Sequence, residues 1–117
     1  AEDDKINIEL MRRIIATQPD LKLEIATSGS QAIQMAMAHP PDLILLDMHL
    51  GDMDGFTVSE TLRTQASLRD IAHIGLSADA LPDRISQALA RGFADYITKP
   101  LDVPALLNRI RHHLRRP

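Results

Sequence analysis

A small set of acidic, hydroxyl and ammonium side chains stands at points of this chain where buried segments end. The set comprises Glu2, Asp3, Asp47, Ser77 and Lys99. Carboxylates brought into one cleft repel each other unless a cation lies among them or one of them keeps a proton. Oxygen ligands without histidine or cysteine favour a hard divalent cation. If the three acids meet, the sequence predicts a Mg²⁺ site, with Mn²⁺ as a substitute.

Lys99 adds a fixed positive charge to this predicted cation site. Its presence implies a ligand that carries more negative charge than one carboxylate, and a phosphoryl group is the obvious candidate. Asp47 could accept that group covalently, because a carboxylate is a competent nucleophile when a metal ion and an ammonium neutralise the incoming oxygens. The residues alone therefore suggest phosphoryl transfer to Asp47.

Strands must bring these residues together. The segment LILLD at residues 43–47 is apolar until its last residue, which is typical of a parallel strand covered by helices on both faces. We also predict buried strands in IAHIGLSA at 71–78 and in FADYITKP at 93–100. Residues 21–26, LKLEIA, alternate between apolar and charged and are predicted to form an edge strand. Because ligands bind beyond the carboxyl ends of parallel strands, the chemically competent residues are expected at one rim.

Helices are predicted wherever apolar residues recur at steps of three and four. The predicted helices are residues 5–18 capped by Asp4, residues 28–39, residues 56–65, a helix from Pro82 to an exit at Gly92, and a final helix capped by Asp102. This order of helices and strands requires a parallel sheet with right-handed crossovers. A doubly wound sheet would also need a central strand before the acidic start AEDD, so we expect a first strand of about five residues upstream.

Composition narrows the class of protein. A chain of 117 residues is about one domain. A net charge of −3 with one tyrosine and two phenylalanines argues against nucleic-acid binding, which usually needs a basic stripe or stacking aromatics. The absence of cysteine excludes disulfides, thiolate metal sites and cysteine nucleophiles. Apolar runs are far shorter than the ~20 residues that span a bilayer, so we expect a cytoplasmic protein without a membrane span.

Four motifs occur in a specific order. They are EDD at residues 2–4, LILLDMHLGDMDG at 43–55, GLSADA at 75–80 and DYITKP at 95–100. In this order they resemble the receiver domain of two-component response regulators, the CheY-like family. The resemblance covers residues 1–117 apart from the first strand. It implies an α/β, flavodoxin-like (βα)5 fold with a doubly wound parallel sheet. We expect the chain to be a fragment or part of a larger protein, and a stand-alone regulator is also compatible with the sequence.

The resemblance assigns roles around the acidic cluster. Asp47 resembles the phosphoacceptor, and Glu2 and Asp3 resemble the acidic pair that binds the metal. Asp3 would contact Mg²⁺ directly and Glu2 mainly through water. The backbone carbonyl of His49 would complete the metal ligands, with its side chain pointing elsewhere.

The remaining motif residues resemble the parts that respond to the phosphoryl group. Ser77 and Lys99 would each contact a phosphoryl oxygen. Tyr96 resembles the aromatic residue whose rotamer follows the Ser77 loop, and Lys99-Pro100 resembles the cis peptide of the family.

The function implied is a phosphorylation-operated switch. A sensor histidine kinase or a histidine phosphotransfer protein would supply the phosphoryl group, and the surface of the fourth helix, last strand and last helix would change. An effector domain or a partner protein would read that surface. The domain would not be an enzyme beyond its own phosphotransfer and slow autodephosphorylation.

The sequence also departs from the family pattern. Leu50 and Gly51 replace a frequent Met-Pro, which implies a more mobile loop. His49 and Asp79 flank the site, at positions where substitutions in the family tune the phosphoryl lifetime.

Two other functions remain open from the sequence. DMDGF at residues 52–56 resembles the DxDG nucleophile motif of haloacid dehalogenase-like phosphatases, although MHLG separates Asp47 from Asp52. A receiver-like binding module that is never phosphorylated is the other alternative.

Overall fold

Helices and strands alternate along the chain. The computed structural model describes residues 1–79 and 81–114, so Ala80 of the GLSADA motif lies outside the described residues. The helices are α1 (Lys5–Ala16), α2 (Gly29–Ala38), α3 (Gly55–Arg63), α4 (Pro82–Ala90) and α5 (Val103–Leu114). The strands are β1 (Leu43–Asp47), β2 (Ala72–Ser77) and β3 (Asp95–Thr98).

The three strands form a parallel sheet in the order β1-β2-β3. In this register Asp47 pairs with Leu76, and Ser77 pairs with Thr98. The carboxyl ends of all three strands therefore meet at one rim. The predicted α/β class with a parallel sheet is confirmed.

The alternating packing of β1 explains its unbroken apolar run. Ile44 and Leu46 pack in a cluster with residues of α2 and α3, such as Leu62. Leu43 and Leu45 pack in a second cluster with residues of α1 and α5. Both faces of β1 are covered, as expected for a parallel strand that lies between two layers of helices.

Polar side chains fix where the helices begin. Four side chains accept a hydrogen bond from a backbone amide in the first turn: Asp4 from Ile6 at 2.8 Å, Ser28 from Gln31 at 3.1 Å, Asp54 from Thr57 at 2.8 Å and Asp102 from Ala105 at 3.3 Å. Each bond satisfies an amide that has no partner within the helix. Gly92 follows α4 with a φ of 97°, a conformation that favours glycine. The predicted caps at Asp4 and Asp102 and the exit at Gly92 are confirmed.

The predicted edge strand at residues 21–26 was wrong. Its side chains do alternate, with Leu23 half-buried and Glu24 exposed, but the segment pairs with no strand among the described residues. A cavity of about 480 Å³ lies between this segment and β1. The segment lacks the row of neighbouring hydrogen bonds that a strand needs along its length.

The first two residues bridge this cavity at one end. The Asp47 amide donates to the Ala1 carbonyl at 3.0 Å, and the Glu2 amide donates to the Ala26 carbonyl at 2.9 Å. Glu2 is thereby held beside the carboxyl end of β1. The expected strand upstream of Ala1 stays a prediction.

The helices are short. The longest among residues 1–79 and 81–114 have twelve residues, and none has the length and apolar character needed to cross a bilayer.

Candidate functional site

Lys99 lies between two buried carboxylates at the rim of the sheet. Its Nζ atom is 2.7 Å from Glu2 Oε1 and 3.0 Å from Asp47 Oδ2. Asp47 is the last residue of β1, and Lys99 comes directly after β3. Glu2 is 7% exposed and Asp47 is 4% exposed, so water screens these contacts poorly. The sheet and the first residues of the chain thus bring together Glu2 and Lys99, which are 97 positions apart.

Asp3 adds a third carboxylate to this pair. Oxygen atoms of Glu2, Asp3 and Asp47 all lie within 4.8 Å of one another. Asp3 is exposed, whereas the other two are buried. A cluster of carboxylate oxygens that is open on one side suits a hard cation that retains some of its water, as Mg²⁺ does. The three predicted acidic ligands therefore lie close enough to share one ion.

The neighbouring carboxyls of Glu2 and Asp47 shift each other's pKa in opposite directions. Burial raises the pKa of Glu2, and its hydrogen bond with Asp47 raises it further, although Lys99 opposes the shift. Burial would also raise the pKa of Asp47, but hydrogen bonds from Glu2, the His49 amide and Lys99 together hold it below its usual range. Asp47 is therefore the member of the pair that carries the negative charge more readily.

Lys99 remains charged in this environment. Burial by itself would lower the pKa of Lys99, but its hydrogen bonds to Glu2 and Asp47 raise the pKa above its ordinary value. The site thus holds a permanent ammonium beside an ionised carboxylate.

Backbone geometry orients the Asp47 side chain. The His49 amide donates to Asp47 Oδ1 at 2.9 Å, while Lys99 contacts Oδ2. Both carboxylate oxygens therefore have a donor. The His49 side chain is exposed. The backbone of His49 forms an isolated antiparallel β-bridge with the backbone of Asp54 in the turn that follows β1.

Ser77 lies at the end of β2 and is 1% exposed. Its hydroxyl oxygen accepts from the Asp79 amide at 3.0 Å. The Lys99 amide donates to the Ser77 carbonyl at 2.8 Å, which joins the two predicted phosphoryl ligands through the backbone.

Tyr96 connects β3 to the loop after Ser77. Its hydroxyl donates to the Asp79 carbonyl at 2.8 Å. Its ring lies against β2 at Gly75, where a Cβ atom would come within 3.3 Å of Tyr96 Cδ2. The predicted switch residue thus touches the loop that it was predicted to follow. The peptide between Lys99 and Pro100 is cis, as the resemblance implied.

Asp52 lies away from the three clustered acids. Its carboxylate accepts from the Gly29 amide at 2.8 Å and from the Ser30 amide at 3.0 Å, at the start of α2. Sequence reasoning considered Asp52 only as a phosphatase nucleophile and missed this contact. Nothing in the local pattern could reveal it, because the partners lie more than twenty positions earlier.

Comparisons with known proteins agree with this geometry. The family model described as Response regulator receiver domain matches residues 1–111. The polar-differentiation response regulator DivK of Brucella ovis is 32% identical over 113 residues, which cover 97% of this chain and 91% of that protein.

Solved receiver structures share the fold. The chain is similar, with a TM-score of 0.89 and 25% identity, to the receiver domain of a sensor histidine kinase from Pseudomonas aeruginosa, whose structure has a magnesium ion coordinated in the active-site cleft. That alignment covers 99% of this chain and 94% of the other. A response regulator from Chloroflexus aurantiacus superposes with a TM-score of 0.91 at 23% identity, again over 99% and 94% of the two chains, and supports the fold alone.

The match of the family model, the DivK relative and the shared fold lead to one conclusion. The chain belongs to the family of response regulator receiver domains, the signalling switches of two-component systems.

Proposed function

We propose that Asp47 accepts a phosphoryl group from a phosphohistidine, on a histidine kinase or on a histidine phosphotransfer protein. The observation that carries this proposal is the Lys99 ammonium, which lies between the buried carboxylates of Glu2 and Asp47. Once a divalent cation neutralises the carboxylates, this ammonium would be available to a ligand with several anionic oxygens. Glu2, Asp3, Asp47 and the His49 carbonyl would hold Mg²⁺, and the metal would neutralise charge on the phosphoryl oxygens.

The chain's own residues have distinct tasks in the transfer. An Asp47 carboxylate oxygen attacks phosphorus while the bond from phosphorus to the donor imidazole nitrogen breaks. The electron pair of that bond stays on the imidazole. The His49 amide keeps the Asp47 carboxylate oriented, and Lys99 exchanges one of its carboxylate contacts for a phosphoryl oxygen.

The response spreads through Ser77 and Tyr96. When the Ser77 hydroxyl turns towards a phosphoryl oxygen, its bond to the Asp79 amide is disturbed, and Tyr96 holds the carbonyl of the same residue. A coupling of ~1–3 kcal/mol is typical and is enough to shift an existing equilibrium. The surface of α4, β3 and α5 would carry the output, and exposed Leu81 and Leu89 give it apolar contact area.

We propose that residues 1–117 act as one receiver domain in the cytoplasm. Its partners would be the phosphohistidine donor and an effector domain or protein that reads the output surface. Asp47 would take up one phosphoryl group, which would then pass slowly to water as inorganic phosphate and restore the carboxylate, without turnover of a separate substrate.

The phosphatase alternative has weaker support. The Asp52 carboxylate accepts from the Gly29 and Ser30 groups at the start of α2, whereas the Lys99 ammonium that would neutralise phosphoryl oxygens contacts Asp47. The module without phosphorylation also loses support, because Asp47, Ser77 and Lys99 are all present. Beryllofluoride with Mg²⁺ should shift their amide NMR signals, and an unchanged spectrum would favour the unphosphorylated module.

The substitution Asp47→Asn tests the proposal. The chain with Asp47 should take up one acid-labile phosphate from a small phosphodonor such as acetyl phosphate, and Asp47→Asn should take up none. The exposed Asp42→Asn provides the matched control and should be labelled like the parent chain. Labelling of Asp47→Asn at the same stoichiometry would refute the assignment. Multiple turnovers of a phosphomonoester that disappear in Asp52→Asn would favour the phosphatase instead.

A further inference from the structure

The loop between β1 and α3 is attached to a helix that comes earlier in the chain. Asp52 lies in this loop, five positions after Asp47. Its Oδ1 accepts from the Gly29 amide at 2.8 Å, and its Oδ2 accepts from the Ser30 amide at 3.0 Å and the Ser30 hydroxyl at 3.1 Å. We refer to these three bonds as the Asp52 clasp.

The clasp satisfies donors that α2 itself leaves free. The first amides of a helix have no partner within the helix. Ser28 caps the Gln31 amide at 3.1 Å, and the Asp52 carboxylate takes the amides of Gly29 and Ser30. These amide bonds hold the pKa of Asp52 below its usual range. A negative charge is also favourable at a helix N-terminus, so the contact suits an ionised carboxylate.

A second contact joins the same two elements. The backbone of Gly29 lies so close to Met53 that an added Cβ atom would be 2.3 Å from Met53 Cγ. The same atom would be 2.9 Å from Val58 Cγ2 in α3. Only glycine permits this approach, so residue 29 and the loop fit together closely.

The base of the loop is tied to the Asp47 site. The His49 amide donates to Asp47 Oδ1 and so orients the carboxylate. The backbones of His49 and Asp54 form an antiparallel β-bridge, and the Gly55 amide donates to the Met48 carbonyl at 3.0 Å. Bonds at its base and the clasp near its tip therefore hold the loop. They offset the freedom that Gly51 would otherwise give.

We propose that Asp52 is a positioning residue for the Asp47 site, an inference that rests on the proposed function. Its clasp holds the loop against α2, so that the His49 amide stays on Asp47 and the His49 carbonyl stays available to the cation. Asp52 contacts neither the phosphoryl group nor the metal and acts through His49.

The effect of losing the clasp should appear in Mg²⁺ affinity. Asp52→Ala should weaken Mg²⁺ binding about tenfold, the lower end of what is usual for residues that support metal ligands. Phosphorylation at saturating Mg²⁺ should also slow, because the clasp no longer keeps the His49 amide on the Asp47 carboxylate. Asp52→Asn keeps one acceptor oxygen, so its Mg²⁺ affinity should lie between those of Asp52→Ala and the parent chain. The exposed Asp42→Ala should match the parent chain.

NMR of the metal-free protein provides a readout that does not depend on activity. Asp52→Ala should speed hydrogen exchange at the amides of Gly29 and Ser30, and should shift the His49 amide signal. Thermal melts of the same samples would show that both Asp52 variants are folded. If Asp52→Ala does not fold, hydrogen exchange and the His49 amide signal are compared between Asp52→Asn and the parent chain instead.

Two outcomes are decisive. Faster exchange at Gly29 and Ser30 with an unmoved His49 signal and unchanged Mg²⁺ affinity would overturn the positioning role. If the parent chain itself fails to bind Mg²⁺, the proposed function falls. In that case the His49 amide NMR signal of the metal-free protein still decides whether Asp52 positions the loop: a shift in Asp52→Ala supports that role, and no shift contradicts it.

Discussion

The two ends of the parallel sheet bury polar groups in different ways. At the carboxyl end, the Lys99 ammonium donates hydrogen bonds to the carboxyl groups of both Glu2 and Asp47. At the amino end, His73 in β2 is completely buried and pairs with Ser59 of α3, which is 2% exposed. One end therefore concentrates charge, whereas the other holds groups that are neutral or locally paired.

Hydrogen bonds at the amino end satisfy Ser59 and His73 Nδ1, whereas His73 Nε2 is buried without a partner among the described residues. Arg63 Nε donates to the Ser59 hydroxyl oxygen at 3.2 Å, so the Ser59 hydroxyl is free to donate to His73 Nδ1 at 2.8 Å. Arg63 also donates to the Gly92 carbonyl at 2.6 Å. Burial, and to a lesser extent the charge of Arg63, lowers the pKa of His73 to about 4. His73 is therefore neutral near pH 7.

The difference separates groups that stabilise the fold from groups that can exchange partners. The network of Ser59, Arg63 and His73 links α3, β2 and the end of α4 without crowding like charges. The carboxyl end crowds acids, which costs stability unless a cation or a proton intervenes. A phosphoryl group can rearrange that balance, whereas residues 1–79 and 81–114 form no comparable cluster of acids at the amino end.

The largest effect should come from removing the cation at the carboxyl end. Lys99→Met should slow phosphorylation from a small phosphodonor about a hundredfold, because the ammonium no longer neutralises the transferred oxygens. It should also raise the pKa of Glu2 further, since Lys99 opposes that rise in the parent chain. Labelling kinetics and a carbon NMR titration of the Glu2 carboxyl would measure the two changes.

Arg109→Met is a useful control for Lys99→Met, because Arg109 pairs with Asp95 on the surface near the amino end of β3. It should leave labelling kinetics unchanged. A Lys99→Met protein that is labelled as fast as the parent chain would mean that the contrast between the ends has no bearing on phosphoryl transfer.

The next effect concerns the pH dependence of stability at the amino end. The pKa of His73 is about 4 when folded and 6.5 when ordinarily solvated, so the unfolded chain binds the proton more tightly. The stabilisation from neutral His73 is fully present above pH 6.5 and is lost as the pH falls towards 4. Across that window the free energy of unfolding should fall by roughly 3 kcal/mol on this account. Urea unfolding between pH 7 and pH 4.5 would measure the fall.

The variant His73→Leu should lose this share of the pH dependence, whereas the exposed His112→Leu should keep it. The carboxyl groups titrate in all three proteins, so the quantity to compare is how steeply the free energy of unfolding changes with pH in each. Identical slopes for His73→Leu and the parent chain would contradict a neutral, buried His73.

The smallest effect compares the same substitution at the two ends. Ser59→Ala removes the donor to His73 Nδ1 and should lower the free energy of unfolding by about 1–3 kcal/mol with unchanged labelling. Ser77→Ala should lower it by only about 1 kcal/mol, but should slow labelling about tenfold, the equivalent of one lost hydrogen bond. Urea unfolding and labelling kinetics on both variants would test the pair. Slower labelling in Ser59→Ala than in Ser77→Ala would reverse the expected contrast.

Much of the site could be predicted because it depends on where strands end. The apolar run before Asp47 and the strands before Ser77 and Lys99 are local patterns, and parallel pairing aligns their carboxyl ends. That reasoning places Asp47 and Lys99 at one rim, as the structure has them. It does not reveal that Lys99 bridges Glu2 and Asp47, because side-chain reach depends on tertiary packing.

The failures arise where the partner of a segment is distant in the chain. Residues 21–26 have the alternation of a strand, but a strand also needs neighbours, and a cavity lies between this segment and β1. Asp52 bonds to Gly29 and Ser30 across two elements, so no spacing rule connects them. Periodicity in the sequence indicates which face of a helix or strand is buried. It does not indicate which other element packs against that face.

The tie between Tyr96 and the Asp79 carbonyl also gives the chain a built-in optical reporter. The chain has one tyrosine, two phenylalanines and no tryptophan, so emission excited in the tyrosine band, where phenylalanine does not absorb, originates from that single ring. Any rearrangement that breaks or remakes the phenol's bond would change the light emitted at one known position. The response of the domain to its phosphodonor can therefore be followed in real time without a dye.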